Sequence, residues 1–262
     1  MARFHCVLIT GASSGLGRAL AEACAAPGVT LHLSGRDVAR LEAVAETCRA
    51  RGATVLPRRL DVRDEATMAG WIEGAGRLDL VVANAGISAG TGRGKSESAA
   101  QTRAVFAVNL DGMLNTVLPA LAAMRAQPPG PDGWRGRIAV VGSIAGFVPA
   151  PGAPAYCASK AAADAWTVAA AVTARREGVA LTSLCPGYVR TAMTARNRFP
   201  MPGLMAADRA ARIMLRGIVS GRRRVVFPWW MGVAARLAGL LPVRFSGALL
   251  FVAPGKEKLA ER

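Results

Sequence analysis

The amino-acid sequence predicts an α/β fold, a doubly wound parallel sheet of seven strands with helices on both faces. Short runs rich in Val, Ile and Leu alternate with longer Ala-, Leu- and Arg-rich stretches of helical period, the pattern of βαβ units. The first run closes directly on a glycine-rich turn that opens a helical pattern. No solenoid-type repeat interrupts the alternation.

In chain order, CVLIT from Cys6 precedes a helix over 18–26, TLHLS from Thr30 a helix over 38–50, and TVLPRRLDV from Thr54 a helix over 67–74. LDLVVANAG from Leu78 leads to a helix over 102–124, and RIAVVGS from Arg137 to a helix over 155–176. VALTSLCPG from Val179 is the last strand but one. The segments 88–98 and 127–136 have the composition of surface connections. Segment 192–207 (AMTARNRFPMPGLMAA) is irregular and follows a strand's carboxyl end, where open α/β sheets bind ligands. It reads as a lid over the site or as an ordinary loop.

At 262 residues and 52% hydrophobic content, the chain can build one large core, so a single domain over 1–262 is expected. MARFHCVLITG has no secretory h-region, which predicts a cytoplasmic protein. Five cysteines without CxxC spacing suit reduced, buried thiols better than a disulfide framework or zinc site, and His5 and His32 sit in strand-like runs. No metal is expected. The net charge of +16 would attract polyanions, but the basic residues are dispersed and accompany no nucleic-acid-binding motif, so nucleic acid is not an expected partner.

The turn TGASSGLG spans 10–17, where Gly11, Gly15 and Gly17 let the backbone turn tightly and approach a pyrophosphate at a helix N-terminus. Tyr156 and Lys160 are four apart on a predicted helix and so share a face. A free tyrosine has a pKa of about 10, and work near neutral pH requires roughly 4 kcal/mol in favour of the phenolate. A nearby ammonium can supply much of that. Lys160 is one of only four lysines among 33 basic residues, and a compact point charge suits the task. Ser143, thirteen residues before Tyr156 at a strand's end, can stabilise charge developing on a substrate oxygen. Asn109 lies in a predicted helix despite its poor helix propensity.

These motifs, with NAG at Asn84, Ala85 and Gly86, VNLDG around Asn109, VVGSIAG around Ser143, YCASK at 156–160 and PGYVRT at 186–191, fall in the order and spacing of a known family. Over residues 6 to 191 the chain resembles the short-chain dehydrogenase/reductase family. The resemblance implies a Rossmann fold and hydride transfer between a nicotinamide cofactor and a small carbonyl or secondary alcohol, with Asn109, Ser143, Tyr156 and Lys160 as the catalytic set. It implies that Asn109 holds a water joining Lys160 to solvent. Cofactor contacts fall on Thr10, Gly11, Ser13, Ser14, Gly15, Leu16 and Gly17, on Arg36, on Asp61 and Val62, and on Asn84, Ala85 and Gly86. Tyr156 and Lys160 touch the cofactor too, and Pro186, Gly187, Val189 and Thr191 hold the nicotinamide. In the family's pattern Asp61 accepts from the adenine amino group, and Asn84 steadies the sheet.

Where an NAD-preferring enzyme carries an acid at the end of its second strand, this chain has Gly35 followed by Arg36. The guanidinium fork suits a 2′-phosphate, and Asp37 reads as an N-cap, so NADP(H) is the preferred cofactor with NAD(H) left open. Tyr188, Met193, Phe199, Met201 and Met205 suggest an apolar substrate. A catalytically silent, dinucleotide-sensing regulator on the same fold is the rival reading, and the intact catalytic set speaks against it. A homo-oligomer, dimer or tetramer, is expected.

The C-terminal extension, 222–262, carries a net charge of +6. Placed on a helix, residues 225–241 put Trp229, Trp230, Val233, Leu237, Leu240 and Leu241 on one side and Gly232, Arg236 and Gly239 opposite. Such a stripe suits the protein's own core, a subunit interface, or peripheral contact with an anionic membrane.

Overall fold

The computed structural model describes residues 4–92, 96–197 and 199–241. Its seven strands are β1 (Cys6–Ile9), β2 (Thr30–Gly35), β3 (Thr54–Arg59), β4 (Leu80–Ala83), β5 (Gly136–Val141), β6 (Val179–Pro186) and β7 (Arg224–Phe227). They form one parallel sheet in the order β3-β2-β1-β4-β5-β6-β7. Among the described residues the eight α-helices are α1 (Gly15–Cys24), α2 (Val38–Arg49), α3 (Glu65–Glu73), α4 (Ala99–Phe106), α5 (Gly112–Ala126), α6 (Pro154–Arg176), α7 (Ala207–Val219) and α8 (Trp229–Leu240).

Side chains alternate across the sheet, so each central strand feeds two cores. Val7 and Ile9 of β1 pack with Leu20 of α1, Val44 of α2 and Met214 of α7. Leu8, between them, joins Trp71 of α3, Val117 of α5 and Ala171 of α6 on the other face. Strand order reverses between β1 and β4, and the connections that leave those two strands part there. That divergence opens the crevice in which such sheets bind ligands.

Three local readings change. The helix expected over 102–124 is α4, then one turn of π-helix at Ala107–Asp111, then α5. At the junction a side chain on Gly112 would strike Val62, and Asn109 spends its carboxamide on neighbouring chain segments. A widened turn is the usual response to such local demands, and π-turns concentrate at functional sites. Residues 225–227 are not helical: they belong to β7, and the apolar helix begins after Pro228. The first helix starts at Gly15, inside the glycine turn, three residues before the predicted 18.

A buried polar cluster ties the end of the chain to the middle. Asp164 of α6 accepts from Nε (2.9 Å) and Nη2 (2.7 Å) of Arg224 in β7. It also accepts from the Ser183 hydroxyl (2.6 Å) and the Cys185 thiol (3.3 Å) of β6. A carboxylate so enclosed is tolerable only because its oxygens are paired, and removing one partner of such a pair typically costs about 3–5 kcal/mol.

Candidate active site

A cavity of about 650 Å³ opens at the carboxyl ends of β1, β2, β4, β5 and β6. One wall is the glycine turn. Gly11 and Gly15 have φ of +64° and +57°, which an L side chain rarely adopts. A Cβ on Gly17 would strike the Gly11 carbonyl oxygen, so the third glycine lets α1 close on the turn. The Asn84 carboxamide, at the end of β4, fastens the arrangement by donating to the carbonyls of Thr10 (2.9 Å) and Gly11 (3.1 Å). The Thr10 hydroxyl accepts from the backbone N–H groups of Asn84 (3.0 Å) and Ala85 (3.1 Å). Ser14, at the N-cap of α1, makes no side-chain cap bond, and the first turn holds no acidic residue. The free N–H groups and helix dipole there favour an anion such as a pyrophosphate.

The opposite wall brings Ser143, Tyr156 and Lys160 together. Ser143 follows β5 and caps a short 3-10 turn (Ile144–Phe147), its oxygen accepting from the Ala145 N–H at 3.1 Å. Tyr156 and Lys160 project from one face of α6, both buried. The Lys160 Nζ donates to the Val141 carbonyl at 2.7 Å, which anchors it to the end of β5. Burial lowers the Lys160 ammonium to about 8, with Cys185 opposing. Burial also pushes the Tyr156 phenol up to about 12; a hydrogen bond with Ser143 works the other way, and Cys157 and Tyr188 add to the rise. The sequence led us to expect a phenol lowered by Lys160. Desolvation outweighs the Ser143 hydrogen bond here and keeps the Tyr156 phenol neutral.

Asn109 stands behind this wall. Its Oδ1 accepts from the Ile87 N–H (2.8 Å), and its Nδ2 donates to the Ile87 carbonyl (3.0 Å) and the Ser159 hydroxyl (3.1 Å). Gly86 lies in the gap: a Cβ there would sit 3.2 Å from Asn109 Oδ1 and 3.5 Å from Lys160 Nζ. Of the residues singled out by sequence, Thr10, Gly17 and Asn109 support the wall from behind. Ser13, Ser14, Leu16, Arg36, Asp61, Val62, Ala85, Pro186, Gly187, Val189 and Thr191 line the cavity with Ser143, Tyr156 and Lys160.

At the far end Gly35 packs on Ser13, a Cβ there being 3.1 Å from the serine Cβ. Asp37 is the N-cap of α2, accepting from the Arg40 N–H at 3.0 Å, as its sequence position predicted. Four arginines line this end: Arg36, Arg40, Arg59 and Arg63. Arg40 is taken by Asp37 (2.7 Å) and Arg63 by Asp61 (2.6 Å). Hydrogen bonds from Arg63 hold the Asp61 carboxyl below its usual range against the opposing effect of burial, with Arg36 contributing. Sequence reasoning missed Arg59. Its only signal is its register beside Gly35 on the neighbouring strand, which is invisible without strand order.

The segment 192–207 is rooted by a bridge between Val189 and Met205. Ala192, Met193 and Thr194 reach the cavity, and Tyr188 meets Phe199 edge-on at 6.0 Å. Of the side chains expected to line an apolar pocket only Met193 does so: Tyr188, Phe199 and Met201 lie outside the cavity lining, and Met205 packs on the core beneath.

Comparison with known proteins agrees with this geometry. A "short chain dehydrogenase" family model matches residues 5–200. An "uncharacterized oxidoreductase" of Myxococcus xanthus is 39% identical over 246 residues, covering 91% of this chain and 93% of that protein. Among solved structures, a Burkholderia phymatum short-chain dehydrogenase/reductase in complex with NAD aligns over 96% of both chains at a TM-score of 0.77 and 26% identity. A Sphingobium yanoikuyae short-chain dehydrogenase in complex with NADPH aligns over 98% of both at 0.77 and 25%. With its seven-stranded Rossmann sheet and this match across three quarters of its length, the chain belongs to the short-chain dehydrogenase/reductase family of oxidoreductases.

Proposed function

We propose that the protein is an NADP(H)-preferring oxidoreductase that interconverts an apolar carbonyl compound and its secondary alcohol, with Tyr156 as general acid and base. The observation that carries this reading is the convergence of Ser143, Tyr156 and Lys160 on one wall of a cavity whose other parts suit a dinucleotide. A nicotinamide held there supplies or accepts the hydride. Ser143 donates a hydrogen bond to the substrate oxygen, and Tyr156 gives that oxygen its proton during reduction or removes it during oxidation. Lys160 steadies the phenolate that follows proton donation, and Asn109 holds the Ile87 and Ser159 supports in place.

The preference for NADP(H) rests on Arg36 and Arg59 flanking the position beside Gly35, where an acid would repel a 2′-phosphate. Arg36→Ala is expected to weaken NADPH about 10- to 150-fold and to spare NADH, since one charge-assisted bond contributes about 1.5–3 kcal/mol. Fluorescence titration with both cofactors checks this; equal weakening of the two would exclude Arg36 as the phosphate reader.

We place this activity in one domain whose residues 192–207 act as a lid; of the extension expected over 222–262, Arg224–Phe227 forms β7 of the sheet and residues 242–262 lie outside the described ones. The protein works in the cytoplasm as a homo-oligomer, to which exposed Leu118 of α5 and Val172 of α6 offer apolar contact surface. Steady-state oxidation of NADPH and NADH against a panel of ketones and aldehydes tests the activity, with apolar ketones expected to turn over fastest. Tight cofactor binding without turnover of any carbonyl or alcohol would favour a dinucleotide sensor instead.

A further inference from the structure

We propose that the outward face of α8 is a docking surface for an anionic lipid bilayer. The helix lies glycine side down. A side chain on Gly232 would strike Val226 of β7, and one on Gly239 would strike the Phe147 carbonyl oxygen. Between them the Arg236 guanidinium lies 4.2 Å over the Phe147 ring. Close approach of the helix to the sheet edge depends on those small residues, so the helix cannot roll its apolar side inward without losing its seat.

The side left facing out is the apolar one. Trp229, Leu237 and Leu240 are 74%, 61% and 80% exposed, with Trp230, Val233 and Leu241 also exposed beside them. Scattered surface leucines need no explanation, but a continuous stripe headed by two tryptophans marks an interaction surface. The stripe also meets the lid, since a Cβ on Gly203 would stand 3.1 Å from Trp230. On its inner side Phe147 borders a second apolar depression, of about 360 Å³, lined by Val148, Pro149, Pro151, Pro154 and Cys157.

Charge selects the occupant. Between Asp208 and Glu257 the sequence has no acidic residue and eight arginines; Arg212 pairs with Asp208 and Arg224 with Asp164, while Arg209, Arg216, Arg222, Arg223 and Arg236 are exposed. A second copy docking through the same face would set this cationic segment against itself. Anionic headgroups complement it, while tryptophans settle at the headgroup level and leucines in the acyl boundary. A bilayer contact beside the lid would also bring apolar substrate to the mouth of the cavity.

Sedimentation of the full chain with phosphatidylcholine vesicles, with and without phosphatidylglycerol, tests the proposal. The wild type is expected to sediment with the anionic vesicles and to be released by salt. The triple variant Trp229→Ser, Leu237→Gln, Leu240→Gln, altered only on the outer face, should lose at least about tenfold in partitioning. Its thermal midpoint, NADPH affinity and oligomeric state should not change. The proposal fails if the wild type ignores anionic vesicles, if neutral vesicles bind it equally well, or if the variant partitions like wild type. A lipid-free change of oligomeric state in the variant also overturns it, by assigning the face to a second copy.

Discussion

Tyr156→Phe is expected to leave NADPH binding intact while lowering kcat by about 10²- to 10⁴-fold, the range contributed by a positioned proton donor. The substitution removes one oxygen from a ring packed among Ala89, Val105, Ala153 and Ala155, so the fold has no cavity to collapse into. With the Tyr156 phenol at about 12, the wild type holds its proton throughout the neutral range. Loss of rate should therefore be uniform from about pH 6 to 8 rather than confined to one limb. Stopped-flow and steady-state rates for the best carbonyl substrate decide the matter. A variant retaining more than about a tenth of the wild-type rate would move the acid role to another group.

Lys160→Met should have opposite effects on stability and rate. Burial lowers the Lys160 pKa from 10.5 to about 8, so between those values the folded chain binds fewer protons than the unfolded one. Its stability therefore rises as pH climbs through that window, and below about 8 the fold bears the full cost of a buried cation. That cost is on the order of 3 kcal/mol. Methionine fills a similar volume without charge, and among the described residues the hydrogen bond forfeited is the one to the Val141 carbonyl. Without cofactor, the variant should unfold several degrees higher at pH 7 and lose the extra pH dependence above 8. Its turnover should fall at least about 100-fold, because nothing then steadies the Tyr156 phenolate. A Tm unchanged or lowered at pH 7 would contradict the buried-charge account. Turnover close to wild type would contradict the catalytic one.

The parts of the site written in local spacing were legible in the sequence. Tyr156 and Lys160 meet because four residues are about one helical turn, and Ser143 was placed by the strand it ends. Gly11 and Gly15 declared their turn because other residues rarely accept the backbone that it needs. What sequence did not disclose depends on neighbours far along the chain. Arg59 reaches the cofactor end only because β3 lies against β2 in one particular register. The π-turn at Ala107–Asp111 answers to Val62, forty-five residues or more upstream, and to Ile87. Residues 225–227 misled because an apolar run flowing into Trp229 and Trp230 has no period to separate strand from helix. The Tyr156 phenol rose rather than fell because burial, which no motif records, outweighs the hydrogen bond from Ser143.

The ion pair between Asp164 and Arg224 gives α6 and β7 a common fate. Residues 201–241 lie beyond the family match. Yet β7 clamps the helix that carries Tyr156 and Lys160, one turn below the lysine. Amide protons of α6 near Asp164 should therefore exchange with solvent in the same cooperative opening as those of β7, as one foldon. A substitution in β7 that weakens this pair would then be registered as a change in how often α6 opens, with no residue of the cavity wall altered.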